Sequence, residues 1–162
     1  MGSTKEYINA SYDRYDRWED LPEDYLLLLE KAKEVSVTAY ARYSDFQVGS
    51  ALKLDNGQIV SGTNQENAAY PSGLCAERVA LFAAHSTYPD SKVQSIAVFA
   101  RHQGEALESL VAPCGSCRQV MAEYESLAKE PLTIILADGD GAVVIEGTQT
   151  LLPFGFQFPE NN

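Results

Sequence analysis

All three cysteines of this chain fall in two short stretches, LCAERVAL at Leu74–Leu81 and APCGSCRQV at Ala112–Val120. No other feature restricts the fold as tightly, because thiols that share one chemistry must be brought together. Three cysteines cannot all pair internally, and Cys-x-x-Cys in a chain without a secretory signature points to metal or redox chemistry before a structural disulfide. The opening segment, MGSTKEYINASYDRYDRWED, lacks the apolar core of a leader peptide, and Glu6 stands where a myristoylation motif takes Ser or Thr. The expected location is the cytoplasm. Asn9-Ala10-Ser11 matches a glycosylation sequon, a pattern that acts only in secreted proteins, and is read as chance.

The 162 residues are 45% hydrophobic, enough to close one compact domain around its own core. The longest apolar runs, Leu26–Leu29 and Leu132–Ala137, fall far short of the roughly 20 residues that cross a bilayer, so no membrane partner is expected. Lys and Arg number 12 against 23 Asp and Glu, and the formal charge of -11 repels polyanions. A nucleic-acid partner is not expected either.

Residues 1–20 are polar, charged and without period, and read as a mobile extension or loosely docked arm on a domain spanning 21–162. Pro22, Glu23 and Asp24 open a helix that runs toward Ala41. Phe46–Leu54 and Gln58–Gly62 flank Asp55-Asn56-Gly57 and predict a hairpin. Helices are predicted over Glu77–His85 and Cys117–Leu127, and strands over Val93–Ala100 and Leu132–Ala137. Asp138-Gly139-Asp140-Gly141 lacks the remaining ligands of a calcium loop and reads as a turn into Val143–Glu146. Together these predict a three-layer α/β/α domain around a mixed sheet of about five strands.

Zinc held by three protein ligands keeps a fourth position open for water, the catalytic arrangement; structural zinc fills all four. His85 and His102 are not spaced as partners of the cysteines and read as ordinary surface or packing histidines. Both cysteine stretches stand where helices are predicted to begin, so exposed N–H groups and the positive dipole end favour thiolates. Arg78 and Arg118 follow the two clusters and suit hydrogen bonds to ligand sulfurs, although either also serves as a solvated helix charge. Zinc deaminases carry a His- or Cys-x-Glu step followed by Pro-Cys-x-x-Cys. Cys75-Ala76-Glu77 and Pro113-Cys114-Gly115-Ser116-Cys117 fit that signature. Glu77 is then the proton carrier, with a first-turn helix acid as the plainer alternative.

Further stretches widen the match: YSDFQVGSAL at Tyr43–Leu52, GTNQENAAY at Gly62–Tyr70 and LLPFGF at Leu151–Phe156. From Leu26 to Phe156 the chain resembles the small zinc-dependent cytidine deaminases of pyrimidine salvage. That resemblance implies hydrolytic deamination of cytidine and deoxycytidine, one zinc per chain on Cys75, Cys114 and Cys117, and a homotetramer whose neighbouring subunits complete each active site. It further implies that Phe46 contacts the pyrimidine, that Asn64 and Glu66 hold ribose hydroxyls, and that Ala76 offers its backbone to the base. Tyr70 and Phe156 come from neighbouring subunits on the same reading. The plainer alternatives are solvated strand-end residues for Asn64 and Glu66, and core packing for Phe46. Competing functions are deamination of another cytosine-like compound such as blasticidin S, and a non-catalytic zinc-stabilised interaction domain.

Overall fold

The computed structural model describes residues 3–158, so the first two residues of the predicted arm and the last four of the predicted domain lie outside the described residues. Helix α1 (Glu23–Ser36) starts behind Pro22 with Glu23 and Asp24 in its first turn, where acids complement the exposed N–H groups, and it ends five residues before the expected Ala41, where Thr38 and Ala39 N–H turn back to the Val35 and Ser36 carbonyls. Strands β2 (Phe46–Leu54) and β3 (Ile59–Thr63) form the expected antiparallel hairpin, and Gly57 at its turn adopts φ 82°, a left-handed conformation open to glycine at little cost. Helix α2 (Ala76–Thr87), strand β4 (Val93–His102), helix α3 (Gly115–Ala128) and the β6–β7 hairpin (Thr133–Asp138 and Gly141–Glu146) complete the alternation.

Among the described residues the sheet holds seven strands, against the expected five or so. The two additions are β1 (Asp13–Tyr15), taken from the N-terminal arm, and the two-residue β5 (Glu105–Ala106) on the end of β4. The order is β1-β7-β6-β4-β2-β3, with β4–β6 parallel and the other pairs antiparallel. The inner part of the arm is therefore built into the fold. Asp13, Arg14 and Tyr15 pair with Val144, Val143 and Ala142, Arg14 forms an ion pair with Asp138, and the Trp18 indole donates to the Gly141 carbonyl at 2.9 Å.

Strand alternation divides the core between the two faces. Ala97, Phe99, Ile135, Ala137, Ala142 and Val144 face α1, whose Leu28, Leu29 and Ala32 are buried there. Ile96, Val98, Ile134, Leu136, Val143 and Ile145 cover the other face with Ala80, Leu81 and Met121 from α2 and α3. Two glycines allow the helices to sit close. A Cβ on Gly49 would stand 2.0 Å from the Ala32 carbonyl oxygen, and one on Gly62 would stand 2.5 Å from the Ala80 nitrogen. The second contact seats the start of α2 against the end of β3, beside the predicted site.

Candidate active site

Cys75 and Cys114 occupy the residues immediately before α2 and α3, and neither side chain makes a capping hydrogen bond. Both sulfurs are left at helix starts, among N–H groups without intrahelical partners. Cys117 lies one turn into α3, fully buried. The Sγ atoms of Cys75 and Cys114 are 3.8 Å apart, those of Cys114 and Cys117 3.5 Å, and all three lie within 4.8 Å of one another. Arg78, one turn along α2, donates to Cys75 Sγ at 3.8 Å. Its Nε is the buried side-chain polar atom without a partner among the described residues. Arg118 differs from expectation: its donors go to the carbonyls of Pro113 (2.7 Å) and Leu151 (2.9 Å), so it ties down the loop before α3 and the chain just after the short helical turn Thr148–Thr150 and does not touch sulfur.

Glu77, two residues after Cys75, is only 4% exposed and lines a cavity of about 700 Å³ together with Cys75, Cys114 and Arg78. Phe46, Asn64, Glu66 and Tyr70 line the same cavity. The segment after β3 is held in extended form from both sides. Glu66 N–H donates to the Tyr40 carbonyl, and Gln65 exchanges backbone bonds with Leu74 at 2.8 and 2.9 Å. Extended backbone alternates its side chains, which presents Asn64 and Glu66 on one side. Asn64 spends its carboxamide on strand β2, accepting from Val48 N–H at 2.7 Å and donating to the Phe46 carbonyl at 2.9 Å. Glu66 accepts from Tyr43 N–H at 2.7 Å, from Ser44 N–H at 3.3 Å and from the Ser44 hydroxyl. The Ser44 hydroxyl, then the Tyr43 N–H, hold its carboxyl below the usual carboxylate range.

Ala76 and Phe156 are not among the residues that line the cavity. Ala76 is buried at the first position of α2. Phe156 stands 68% exposed beside α3, its backbone exchanging hydrogen bonds with the Gln119 side chain. Tyr70 lines the cavity yet is 79% exposed.

Residues 22–129 match the cytidine and deoxycytidylate deaminase zinc-binding region. A cytidine deaminase of Halalkalibacterium halodurans is 38% identical over 139 residues, covering 86% of this chain and 98% of the relative. The chain belongs to this deaminase family. Among solved structures, a cytidine deaminase from Burkholderia pseudomallei is 37% identical at TM-score 0.67, covering 84% of this chain and all of that one. One from Mycobacterium tuberculosis is 32% identical at TM-score 0.66, covering 85% and all of it respectively.

The donor set of this deaminase domain fits zinc. Zn–S bonds of roughly 2.3 Å in a tetrahedron put sulfurs about 3.8 Å apart, the spacing found between Cys75 and Cys114. Three thiolates on a divalent cation leave one negative charge, which the Arg78 guanidinium offsets from its place beside Cys75. The Cys75 thiol is pulled down to about 5, first by hydrogen bonding from Cys117 and then by Arg78. Burial pushes the Glu77 carboxyl up, so its proton is held more tightly than that of a surface acid. Sequence reasoning passed over Ser44 and Tyr43, which hold Glu66. The signal for them is slight, since a serine two residues before a strand is common in any turn.

Proposed function

We propose that this deaminase converts cytidine and deoxycytidine to uridine and deoxyuridine by hydrolysis, with release of ammonia, as part of pyrimidine salvage in the cytoplasm. The observation that carries the proposal is one cavity lined by a buried carboxyl, by Cys75 and Cys114 with Cys117 buried behind them in the same cluster, and by a charged, hydrogen-bonded Glu66. Cys75, Cys114 and Cys117 would hold one zinc, with Arg78 stabilising the Cys75 thiolate. When bound, the metal lowers the pKa of water from about 15.7 toward roughly 7, which supplies hydroxide near neutral pH. Glu77 takes the proton released at the attacking water. It delivers that proton to ring N3 as the C4–O bond forms, then carries the remaining proton of the new C4 hydroxyl to the exocyclic amine, which leaves as ammonia when the C4–N bond breaks and the carbonyl forms. Burial raises its pKa, the direction that helps a carboxylate hold a proton between accepting and donating it.

Phe46 packs against the pyrimidine and the Ala76 backbone reads its edge, while Asn64 and Glu66 take the sugar. Asn64 acts partly through the strand it holds, because its carboxamide is already bonded to Phe46 and Val48. A cavity whose wall includes a mostly exposed Tyr70, with Phe156 outside it, supports a homotetramer in which both aromatics serve a neighbouring subunit's site. The catalytic domain is residues 21–162, with 1–20 an extension whose inner half docks on the sheet edge. The net charge of -11 speaks against polynucleotide substrates.

The test is ammonia release from cytidine, deoxycytidine, cytosine, the monophosphate, blasticidin S and a single-stranded oligonucleotide, compared as kcat/KM. The two nucleosides are expected to lead. A higher value for cytosine, blasticidin S or the oligonucleotide overturns the nucleoside reading. Light scattering that finds a fully active monomer removes Tyr70 and Phe156 as groups supplied by a neighbour.

A further inference from the structure

Glu66 stands on few covalent supports, since it belongs to a loop and is half-buried, yet its carboxylate is tightly specified. Oε2 accepts from the N–H groups of Tyr43 and Ser44, and Oε1 accepts from the Ser44 hydroxyl. The Ser44 oxygen in turn accepts from Phe46 N–H at 3.0 Å. That second bond occupies one lone pair of the hydroxyl and leaves its proton for Glu66. Asp45, between the two, adopts φ 55°, a left-handed conformation that Asp tolerates better than most residues. It turns the chain so that Ser44 reaches back over Phe46.

We propose that Ser44 is a positioning residue that sets which face of the Glu66 carboxylate meets the substrate's sugar, and thereby the preference for hydroxylated nucleosides. The inference rests on the reading of Glu66 as the sugar-binding group. A carboxylate offers about four acceptor sites, and three are taken by Tyr43 and Ser44. One remains, on Oε1, whose direction the Ser44 hydroxyl fixes. Without that hydroxyl the two backbone bonds to Oε2 persist and the group pivots about them. The carboxylate then stays charged but loses its aim.

The test compares wild type, Ser44→Ala, Ser44→Thr and Glu66→Ala on cytidine and on 2′,3′-dideoxycytidine, with kcat and KM determined separately and zinc content and Tm measured alongside. Loss of one charge-assisted hydrogen bond corresponds to about tenfold. Ser44→Ala is expected to keep its zinc, to raise KM for cytidine about tenfold with little change in kcat, and to leave the dideoxynucleoside almost unaffected. The kcat/KM ratio between the two substrates shrinks accordingly. Ser44→Thr, which retains the hydroxyl, restores that ratio. A Ser44→Ala enzyme that loses both substrates equally, or neither, while Glu66→Ala narrows the ratio, overturns the positioning role and leaves the sugar reading standing. Glu66→Ala with a wild-type ratio overturns the sugar reading and the role of Ser44 with it. Should Ser44→Ala not fold, Ser44→Cys, whose thiol donates weakly, is judged by the same ratio.

Discussion

The two ends of the cavity are built from different materials. The sulfur end rests on the first turns of α2 and α3, with Cys117 fully buried and Glu77 nearly so. The part that carries Asn64 and Glu66 rests on the loop before β2 and the extended segment after β3, and its Tyr70 stands largely in solvent. Helix starts fixed against a packed sheet hold atoms to the tolerance that bond-making requires, whereas loops tied by a few hydrogen bonds can differ between enzymes that share one chemistry. The comparison predicts that mutations in the two regions have separable effects, on turnover at the thiols and Glu77 and on substrate preference at Glu66.

The largest expected effect breaks the sulfur end outright. Cys114→Ala leaves two thiols, and elemental analysis should find zinc lost together with activity; full occupancy with normal turnover would remove the site. Next comes Glu77→Gln, nearly isosteric, which should keep the fold and the zinc while lowering kcat by at least about 10²-fold, the usual scale of general acid–base catalysis. Turnover within about tenfold of wild type would take the proton-carrying role away from Glu77. Glu66→Ala sharpens the contrast from the other end. It should lower kcat/KM for cytidine by about tenfold or more, the equivalent of roughly 1 to 3 kcal/mol for a lost partner, with unchanged metal content. A variant that loses zinc instead would mean that the two ends are coupled.

The smallest expected effect on catalysis comes from outside both ends. The Trp18 ring packs edge-on against Phe99 at 5.9 Å and under the Lys33 ammonium at 5.1 Å. Trp18→Ala should cost about 2 kcal/mol in thermal or denaturant unfolding, less than the ~3–5 kcal/mol of a fully buried Trp because this ring is half-buried. Its kcat/KM should match wild type, and a large loss of turnover would show that the arm reaches the site.

Where side-chain period and punctuation decide the structure, the sequence was legible. The hairpin at Asp55-Asn56-Gly57, the apolar strands β4 and β6, and the start of the helix behind Pro22 fall within a few residues of expectation, whereas that helix ends at Ser36, short of the expected Ala41. The strands that escaped are those made by their neighbours. Asp13-Arg14-Tyr15 has no apolar alternation, and becomes a strand because β7 offers it an open row of hydrogen bonds. Glu105-Ala106 does the same on β4. In the site, the thiols were legible because their spacing is chemical. Arg118 was misread because distance along the chain does not reveal that the carbonyls of Pro113 and Leu151 compete for its guanidinium. The grip of Ser44 on Glu66 spans 22 residues and leaves no periodic trace.

The short strand β1 also limits how copies of the chain can meet. A sheet that ends on an open row of amides can be extended by another molecule, and by another after that, without end. Here the last row at that side is three residues long and bears Asp13 and Arg14 in solvent. Such a rim gives an incoming strand little to template on and charges to bury, so lateral stacking from it terminates at once. At this edge, contact between copies would fall to helix and loop faces, where a closed ring of subunits leaves no growing end.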